Sequence, residues 1–290
     1  MHESKDTKFS PFSIVCRQKI INFSKPVVMG ILNITPDSFY DGGNYTTQEL
    51  ILKRAHQILD QGADILDLGA VSSRPGATLL PPEEERDHLI PVIKMLRSEF
   101  PNALISIDTC WSIPAEASIN AGADIINDIS GGQFDPNMIN TIAQLQVPYI
   151  LMHTRGLPGD MQQHTQYNDI VQDLALYFSQ QLEKLYKLGA KDIILDPGFG
   201  FAKTLTQNYE LMYRLDELIS LFKEPMLVGI SRKSMIYKLL NTTPQEALNG
   251  TTVLNTISLL KGASILRVHD VKEAIETIQL INVDTDNSKK

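Results

Sequence analysis

QGADILDLG, residues 61–69, contains a helix end, a tight turn and the start of a buried strand. Gly62 can adopt the left-handed conformation that ends a helix, and the strand after it is mainly apolar at consecutive positions. The same order returns at AGAD (121–124), LGAK (188–191) and KGAS (261–264). Strands that are apolar on both faces are typical of parallel sheets covered by helices, so this segment indicates an α/β protein.

Runs of this kind occur eight times along the chain, and helical stretches separate them. The predicted strands are 27–33, 63–69, 104–108, 124–128, 149–153, 192–196, 226–231 and 264–269, and the predicted helices include 47–61, 82–100, 170–188 and 244–261. A repeated strand–helix order gives right-handed βαβ units and a parallel sheet. Eight repeats predict a single closed (β/α)8 TIM barrel. A Rossmann-like open sheet is the alternative, but it would need a glycine-rich phosphate turn after the first strand, and GILNITPDS (30–38) is not one.

The length and composition of the chain fit one domain of this kind. The chain has 290 residues, of which 43% are hydrophobic and 21% are charged, as in an ordinary globular protein. We expect the barrel to cover residues 27–282. Residues 1–26 are expected to form an N-terminal extension in which 12–25 make a hairpin that caps the barrel floor, and residues 283–290 to form a disordered tail.

Charge and cysteine content exclude several classes of protein. The formal net charge of −8 argues against partners that require a basic surface, so we expect no nucleic-acid partner and no membrane partner. No apolar run approaches the roughly 18 residues of a membrane span, and the N-terminus lacks the apolar core of a signal peptide. The two cysteines, Cys16 and Cys110, do not form a disulfide framework and are expected to be reduced thiols. These features predict a cytoplasmic protein.

The informative polar residues lie at the carboxyl end of each apolar run or in the loop that follows it. In the carboxyl-end face of a barrel, the loops after all strands meet and build the site. Charged groups at the ends of buried strands are costly unless they are paired or bind a ligand, so we predict one site at this face. In strand order the residues are Asn33, Asp37, Asp67, Asp108, Asn127, Asp128, His153, Asp196, Ser231, Lys233, Arg267 and His269.

One part of this set suits an anionic ligand and its counterion. Arg267, His269 and Arg74 can bind phosphate oxygens, and an arginine can do so with two nitrogens. Asn33 and Asp37 offer hard oxygens, which suit a Mg²⁺ ion held mostly by phosphates and water. These residues indicate a phosphorylated substrate that is bound with magnesium.

Another part suits a flat heterocycle. Asp108, Asn127 and Asp196 are short and rigid, and two carboxylates beside an amide match a ring with adjacent N–H donors, such as the 2-amino-4-oxo edge of a pterin or guanine. Lys233 can donate to the ring oxygen and to a ring nitrogen. The sequence contains no His/Cys cluster with zinc spacing, no P-loop and no GxSxG nucleophile motif.

A set of motifs in a fixed order carries a resemblance to a known family. The motifs are GILNITPDSFYDGG (30–43), LDLGAVSSRPGA (66–77), SIDT (106–109), INDISGG (126–132), LMH (151–153), DPGFGF (196–201), GISRKS (229–234) and RVHDV (267–271). Over residues 27–281 they resemble the dihydropteroate synthases, pterin-binding TIM-barrel enzymes of folate biosynthesis that sulfonamides inhibit. The resemblance implies a transferase that joins 6-hydroxymethyl-7,8-dihydropterin diphosphate to 4-aminobenzoate and releases diphosphate by an SN1-like, Mg²⁺-assisted route. It also implies a homodimer.

The resemblance assigns roles to residues of the first two loops. Asn33 is the expected Mg²⁺ ligand, and Asp37 is expected to stabilise a cationic intermediate as a catalytic residue. Ser73, Arg74 and Pro75 are expected in a mobile second loop that contacts substrate.

The remaining expected site residues come from the later strands. Lys233, Arg267 and His269 are the other expected catalytic residues. By pocket, the resemblance implies Asp108, Asn127, Met152, Asp196 and Lys233 for the pterin, Phe201, Lys233 and Ser234 for aminobenzoate, and Arg267 and His269 for diphosphate.

The chain departs from the family pattern in two loops. Where the family commonly has GGESTRPG, this chain has GAVSSRPG (69–76), so Ala70 and Val71 replace a glycine and a glutamate and Ser73 replaces a threonine. Ser73 keeps a hydroxyl, whereas the loss of the glutamate is expected to affect loop anchoring and the affinity for aminobenzoate and sulfonamides. The family's DPGxGFGK becomes DPGFGFAK, with Ala202.

Four nearby residues also have structural interpretations. We expect Asp128 to cap a helix or brace a loop, and Arg232 to form a salt bridge. Asp67 either braces loop backbone or lines the site. His153 either lines the site or is a structural histidine with its hydrogen bonds satisfied.

Other functions are compatible with parts of the sequence. A corrinoid-linked methyltransferase would use the same pterin residues, but it has no use for the diphosphate residues Arg267 and His269. A Schiff-base aldolase would need Lys233 within a hydrophobic strand and with a lowered pKa, whereas Lys233 begins a loop. A catalytically silent paralogue that only binds pterin or a protein partner is the third alternative, because Val71 replaces the glutamate of the family.

Overall fold

The structure, a computed structural model, describes residues 9–34, 45–70 and 79–282. Its strands in these ranges are β1 (Phe12–Cys16), β2 (Lys19–Phe23), β3 (Val27–Asn33), β4 (Ile65–Gly69), β5 (Leu104–Asp108), β6 (Ile125–Asp128), β7 (Tyr149–Met152), β8 (Ile193–Asp196), β9 (Leu227–Val228) and β10 (Ile265–Val268). Its helices are Tyr45–Asp60, Pro82–Glu99, Ser112–Ala121, Met138–Leu145, Ile170–Lys187, Leu205–Tyr213, Leu215–Ser220, Ser234–Tyr237, Leu248–Leu260 and Val271–Ile281, with a 3-10 turn at Met161–Gln163.

Strands β3 to β10 form one parallel sheet in the order β8-β7-β6-β5-β4-β3-β10-β9. Its two ends meet through a parallel bridge between Leu195 and Met226, and the Leu195 amide donates to the Pro225 carbonyl at 2.9 Å. The sheet is therefore a nearly closed barrel surrounded by helices, which confirms the predicted (β/α)8 fold. Among the residues that the structure describes, every helix is too short or too polar to span a lipid bilayer.

Two predicted elements differ from the observed ones in length. The predicted strand 226–231 is wrong at its end, since β9 covers only Leu227–Val228 and the chain then turns, with the Lys233 amide donating to the Ile230 carbonyl. The predicted helix 244–261 begins instead at Leu248, since the carbonyls of residues 244 and 245 accept hydrogen bonds from the Arg232 side chain. The other predicted strands agree with the observed ones to within two residues at each end.

Side chains that face inward at the amino ends of the strands form an apolar barrel floor. The antiparallel hairpin β1–β2 covers this floor, because Ile14 and Cys16 pack into the same buried cluster. Its turn at Arg17 and Gln18 has the positive φ angles of a tight two-residue hairpin. The structure thus contains the hairpin that the sequence predicts between residues 12 and 25. The floor residues are Val27, Met29, Ile65, Leu104, Ile125, Ile150, Ile194, Leu227 and Ile265.

Two carboxylates of the barrel hold this hairpin in place. Asp192 accepts the backbone N–H of Val15 at 2.9 Å, and Asp124 pairs with Arg17 at 2.7 Å and with Arg97 at 2.6 Å. The hairpin therefore closes one end of the barrel, and the carboxyl ends of the strands face the other end. The rest of the predicted extension and the predicted tail, 1–8 and 283–290, lie outside the described residues.

The outward-facing side chains of the strands pack against the helices. Leu66 and Leu68 of β4 are fully buried, and a Cβ added at Gly30 would lie 2.4 Å from Ile58 of the helix Tyr45–Asp60. Burial on both faces explains why the strands are apolar at consecutive positions. The glycines of the four repeated turns all have the positive φ that the sequence predicts; they are Gly62, Gly122, Gly189 and Gly262.

Candidate active site

The parallel register brings predicted site residues together at one end of the barrel. Asp108 of β5 lies opposite Asn127 of β6, and Met152 of β7 lies opposite Asp196 of β8. Because side chains alternate along a strand, these residues face the barrel interior, above the residues of the apolar floor. The described residues therefore form a polar mouth at the end opposite the hairpin.

Arg267 lies between two carboxylates at this mouth. Its Nε donates to Oδ2 of Asp67 and its Nη2 donates to Oδ2 of Asp108, each at 2.6 Å. Asn127 also donates to Asp67, through Nδ2 at 3.2 Å. Asp67 is fully buried, and its partners among the described residues are the side chains of Arg267 and Asn127, so in this part of the chain it braces side chains of the site. Sequence reasoning left this role open, because the partner of Asp67 lies 200 residues away.

Burial shifts the protonation of these groups. It raises the pKa of Asp108 to about 7, although Arg267 acts in the opposite direction. It also raises the pKa of Asp196, where Lys233 and the Gly198 amide, 2.8 Å away, favour the ionised form. Burial alone would lower the pKa of Arg267, but the two carboxylates beside it raise that pKa above its ordinary value. Hydrogen-bond donors on a ligand would stabilise the ionised carboxylates in this site.

Lys233 lies at the same mouth, directly before the short helix Ser234–Tyr237. Its Nζ donates to the Phe199 carbonyl at 2.7 Å and lies 4.6 Å from the centre of the Phe201 ring. Burial lowers the pKa of Lys233 to about 8, although Asp196 acts against this shift. The sequence argument against an aldolase is therefore wrong on this point, because a lysine at a loop start is desolvated here.

An apolar cluster lies beside these charged groups. Met152 and Phe201 are buried and pack in this cluster, although the resemblance assigns them to different substrate pockets. The cluster offers an apolar surface to a flat ligand whose edge reaches the carboxylates. Its other buried members are Cys110, Ile129, Met161 and Ala202.

Of the remaining predicted residues, the structure describes three and leaves four undescribed. His269 Nδ1 lies 3.0 Å from Ser231 Oγ, and the His269 carbonyl accepts from Arg54 at 2.9 Å. Asn33 ends β3 with an exposed side chain that has no partner among residues 9–34, 45–70 and 79–282. Ser234 is half-buried at the start of its helix. The predicted residues of the two loops lie outside the described residues; they are Asp37, Ser73, Arg74 and Pro75.

Asp128 and Arg232 have the structural roles that the sequence predicts. Asp128 accepts hydrogen bonds from the backbone of Ser130 and Gly132 at 2.7 Å and from the Tyr149 hydroxyl at 2.6 Å, so it braces a loop. Arg232 forms a salt bridge of 2.8 Å with Asp270.

His153 and Lys203 form a buried pair next to the loop after β8. Lys203 Nζ lies 3.1 Å from His153 Nδ1 and donates to the carbonyls of Gly198 and Phe201 at 2.9 and 3.1 Å. Burial lowers the pKa of both side chains well below their ordinary values. His153 is therefore a structural histidine with a hydrogen-bond partner. Sequence reasoning missed Lys203, and the available signal was the lysine that ends DPGFGFAK.

Comparison with known proteins agrees with this geometry. Residues 29–269 match the family model of pterin binding enzymes. The chain is 42% identical over 263 residues to the dihydropteroate synthase of Escherichia coli (strain K12). These aligned residues cover 90% of this chain and 92% of that protein. Among solved structures it is similar to Yersinia pestis dihydropteroate synthase with a sulfonamide drug complex, with a TM-score of 0.85, 39% identity and coverage of 93% and 97% of the two chains. It is also similar to Xanthomonas albilineans dihydropteroate synthase with 4-aminobenzoic acid, with a TM-score of 0.84, 34% identity and coverage of 94% and 97%.

The chain therefore belongs to the family of pterin binding enzymes. The relatives reported above, which it covers over nearly their whole length, are dihydropteroate synthases, and its activity is that of this transferase of folate synthesis. This relationship sets aside the methyltransferase and aldolase alternatives.

Proposed function

We propose that the protein condenses 6-hydroxymethyl-7,8-dihydropterin diphosphate with 4-aminobenzoate, which gives 7,8-dihydropteroate and diphosphate. The observation that carries this proposal is the charge arrangement at the mouth. Arg267 donates to Asp67 and Asp108 at 2.6 Å. The charges of Asp196 and Asp108 both raise the pKa of Lys233, against the effect of its burial. The Xanthomonas albilineans relative with 4-aminobenzoic acid supports the choice of the second substrate.

The pterin edge would be bound by acceptors. Because Asp67 takes the Nδ2 donor of Asn127, Oδ1 of Asn127 is the atom that can accept a hydrogen bond from a ligand. Asp108 and Asp196 add carboxylate oxygens, and the 2-amino and ring N–H groups of a dihydropterin are the matching donors. Lys233 would donate to the oxygen or nitrogen at the ring edge nearest to it.

The second substrate would lie beside the pterin, against the apolar cluster. Phe201 and Met152 supply an apolar surface for the aromatic ring of 4-aminobenzoate. Ser234 offers a hydroxyl to its carboxylate. Ser73 and Pro75 would complete this pocket, as their place in the SSRPG motif implies.

Arg267 and His269 would bind the diphosphate, together with Arg74 of the second loop. In phosphate sites Mg²⁺ is held by one or two protein oxygens, by the phosphates and by water. Asn33 fits this pattern, since it presents an amide oxygen at the end of β3 without a partner among the described side chains. Bound there, Mg²⁺ would neutralise charge that develops on the leaving diphosphate.

The reaction would proceed by an SN1-like route. The bond between the pterin C6 methylene and a diphosphate oxygen breaks, and its electron pair leaves with the oxygen. The resulting cation is delocalised into the pterin, and Asp37 would flank it, as the family resemblance implies. The amine nitrogen of 4-aminobenzoate then forms the new C–N bond and loses a proton. This aniline nitrogen is neutral at pH 7, so the step requires no strong general base.

We also propose that the protein is a cytoplasmic homodimer and that residues 27–282 form its one barrel domain. The dimer follows from the family resemblance. The cytoplasmic location is supported by Cys16 and Cys110, which are both buried and unpaired by disulfides.

The experiment that tests this function is one assay with purified protein, the pterin diphosphate and 4-aminobenzoate. We expect diphosphate release that requires both Mg²⁺ and 4-aminobenzoate, with equal formation of 7,8-dihydropteroate. Release of diphosphate without incorporation of 4-aminobenzoate would contradict the proposal. Pterin binding with no release at all would instead identify the catalytically silent paralogue.

A further inference from the structure

The loop after β9 and the end of β10 contact each other at two adjacent positions. Ser231 Oγ accepts the backbone N–H of His269 at 3.1 Å and lies 3.0 Å from Nδ1 of the same residue. The next residues along both segments, Arg232 and Asp270, form an ion pair through two nitrogens, at 2.9 and 2.8 Å. The two segments are therefore fixed relative to each other at the point where Ser231 contacts His269.

The backbone of His269 is held on both sides. Its N–H donates to Ser231, and its carbonyl accepts from Arg54 Nη2 at 2.9 Å. With the backbone fixed in this way, the contact between Ser231 Oγ and Nδ1 constrains the orientation of the imidazole ring. Ser231 is itself buried, so water does not compete freely for its hydroxyl.

A count of hydrogens decides the direction of this contact. A serine hydroxyl has one hydrogen and two lone pairs, and the backbone N–H of His269 takes one lone pair of Ser231. If the hydroxyl donates to Nδ1, its hydrogen is satisfied. If Nδ1 carried the proton, the hydroxyl hydrogen would need another acceptor, and the described part of the chain shows none for Ser231.

We infer that the Ser231 hydroxyl donates to Nδ1 of His269 and thereby fixes the neutral imidazole as the tautomer that carries its proton on Nε2. Ser231 is in this sense a positioning residue, which acts on substrate through His269. In the other tautomer, Nε2 would carry a lone pair, so the side of the ring that faces away from Ser231 would have no N–H donor.

This tautomer matters because of the ligand proposed for His269, so its functional consequence rests on the proposed function. A diphosphate oxygen only accepts hydrogen bonds. An Nε2–H group can donate to it, whereas an Nε2 lone pair would repel it. Ser231 would therefore contribute to binding of the leaving group without touching it.

The first test is spectroscopic and does not depend on activity. Protein labelled with ¹⁵N in its six histidines is studied by long-range ¹H–¹⁵N correlation at an alkaline pH where imidazoles are neutral, and a His269→Gln variant assigns the His269 signal. We expect an unprotonated Nδ1 and a protonated Nε2. In Ser231→Ala we expect the population of the tautomer protonated on Nδ1 to rise, which moves the shifts of both nitrogens toward each other. A protonated Nδ1 in the natural sequence would overturn the inference.

The second test is calorimetric and uses inorganic diphosphate with Mg²⁺ as the probe. We expect Ser231→Ala to raise the Kd about tenfold, the effect of one hydrogen bond to a charged group, and Ser231→Thr, which keeps the hydroxyl, to restore most of the affinity. Binding of 6-hydroxymethylpterin, which has no phosphate, should not change. An unchanged Kd for diphosphate in Ser231→Ala would contradict the role of Ser231. Failure of the unsubstituted protein to bind diphosphate would refute the proposed anion subsite and leave the tautomer result standing.

Discussion

Nε of Arg267 donates a 2.6 Å hydrogen bond to Oδ2 of Asp67, a residue 200 positions earlier in the chain. The same carboxylate accepts from Asn127, so one buried group orients a cation and an amide that both belong to the predicted site. Removing one partner from a buried ion pair leaves an uncompensated charge, which costs about 3–5 kcal/mol. The polar mouth therefore depends on a buried residue that positions two of the predicted site residues.

Replacement of Asp67 tests this dependence. Asp67→Asn keeps the size of the side chain but removes the charge beside Arg267, and it can turn a donor toward the guanidinium. We expect kcat/KM for the pterin diphosphate to fall about 100-fold, in the range for a disrupted buried charge pair. Steady-state assays at several concentrations of the pterin substrate measure this value.

Asp64→Asn is the matched control for that variant. Asp64 lies just before the same strand, near the floor, and accepts the Val28 amide at 2.9 Å. We expect this change to reduce stability and to alter kcat/KM by less than about twofold, since it is remote from the mouth. Equal losses of activity in the two variants would show that Asp67 acts only through general stability.

Lys233 should make the reaction sensitive to alkaline pH. Burial lowers the pKa of its ammonium group to about 8, so the free protein loses this positive charge as the pH rises through that value. We expect kcat/KM for the pterin diphosphate to fall along an alkaline limb near pH 8. The pH profile of Lys233→Met should have low activity and no such limb. Lys238→Met, at an exposed lysine nearby, is the control and should retain the alkaline limb. An alkaline limb that persists in Lys233→Met would contradict the assignment of this titration to Lys233.

Gly198 should tolerate no side chain. It has φ of +67°, and an added Cβ would lie 2.1 Å from the His153 carbonyl oxygen. We expect Gly198→Ala to destabilise the protein by about 3 kcal/mol or more, because strain and a backbone clash add. Gly159→Ala is the control, since nothing lies within 4 Å of a Cβ there. Urea unfolding measures the free energy of unfolding of both variants. Equal free energies would contradict the prediction and show that the turn at Gly198 can rearrange to fit a side chain.

Glu85 should make the stability depend on pH. Burial raises its pKa from 4.5 to about 7, with Asp108 and Asp128 adding to the shift and Thr109 opposing it, and Oε1 lacks a hydrogen-bond partner among the described residues. Between these two values the folded protein keeps a proton that the unfolded chain releases. The free energy of unfolding therefore falls as the pH rises from 4.5 to 7 and stays lower above 7.

The variant Glu85→Gln removes this titration. We expect it to be about 1–3 kcal/mol more stable than the natural sequence at pH 8 and nearly equal to it at acid pH, as a shift of this size implies. Glu84→Gln, at an exposed position of the same helix, should show no such gain. Urea unfolding at both pH values measures the difference, and a Glu85→Gln variant that is less stable at pH 8 would contradict the account.

The fold could be predicted from the sequence because its signals are local. Strands β3 and β5 have the bounds that their apolar runs predict, and Gly62 and Gly122 take the left-handed conformation expected of helix ends. Strand β9 was predicted too long because its apolar run continues through Ile230, while the chain already turns there to bring Lys233 to the Phe199 carbonyl. The hydrophobic pattern of one segment does not indicate a contact between residues of two different loops.

The site was predictable in part for the same reason. The positions of Asp108, Asn127 and Asp196 follow from where their strands end. The role of Asp67 and the burial of Lys203 depend on partners from other strands and loops, which no local pattern specifies. The lowered pKa of Lys233 likewise results from packing around the mouth and not from neighbours in sequence.

In the proposed site, the carboxylates of two distant strands, Asp108 and Asp196, and the lysine of the loop after β9 bind one pterin ring. The most direct measurement is a crystal structure of the protein with 7,8-dihydropteroate bound. We expect oxygens of Asp108 and Asp196 at about 3 Å from N–H groups of the pterin, with Lys233 Nζ on the same ring. A pterin that binds elsewhere, or with neither carboxylate against its ring, would contradict the account.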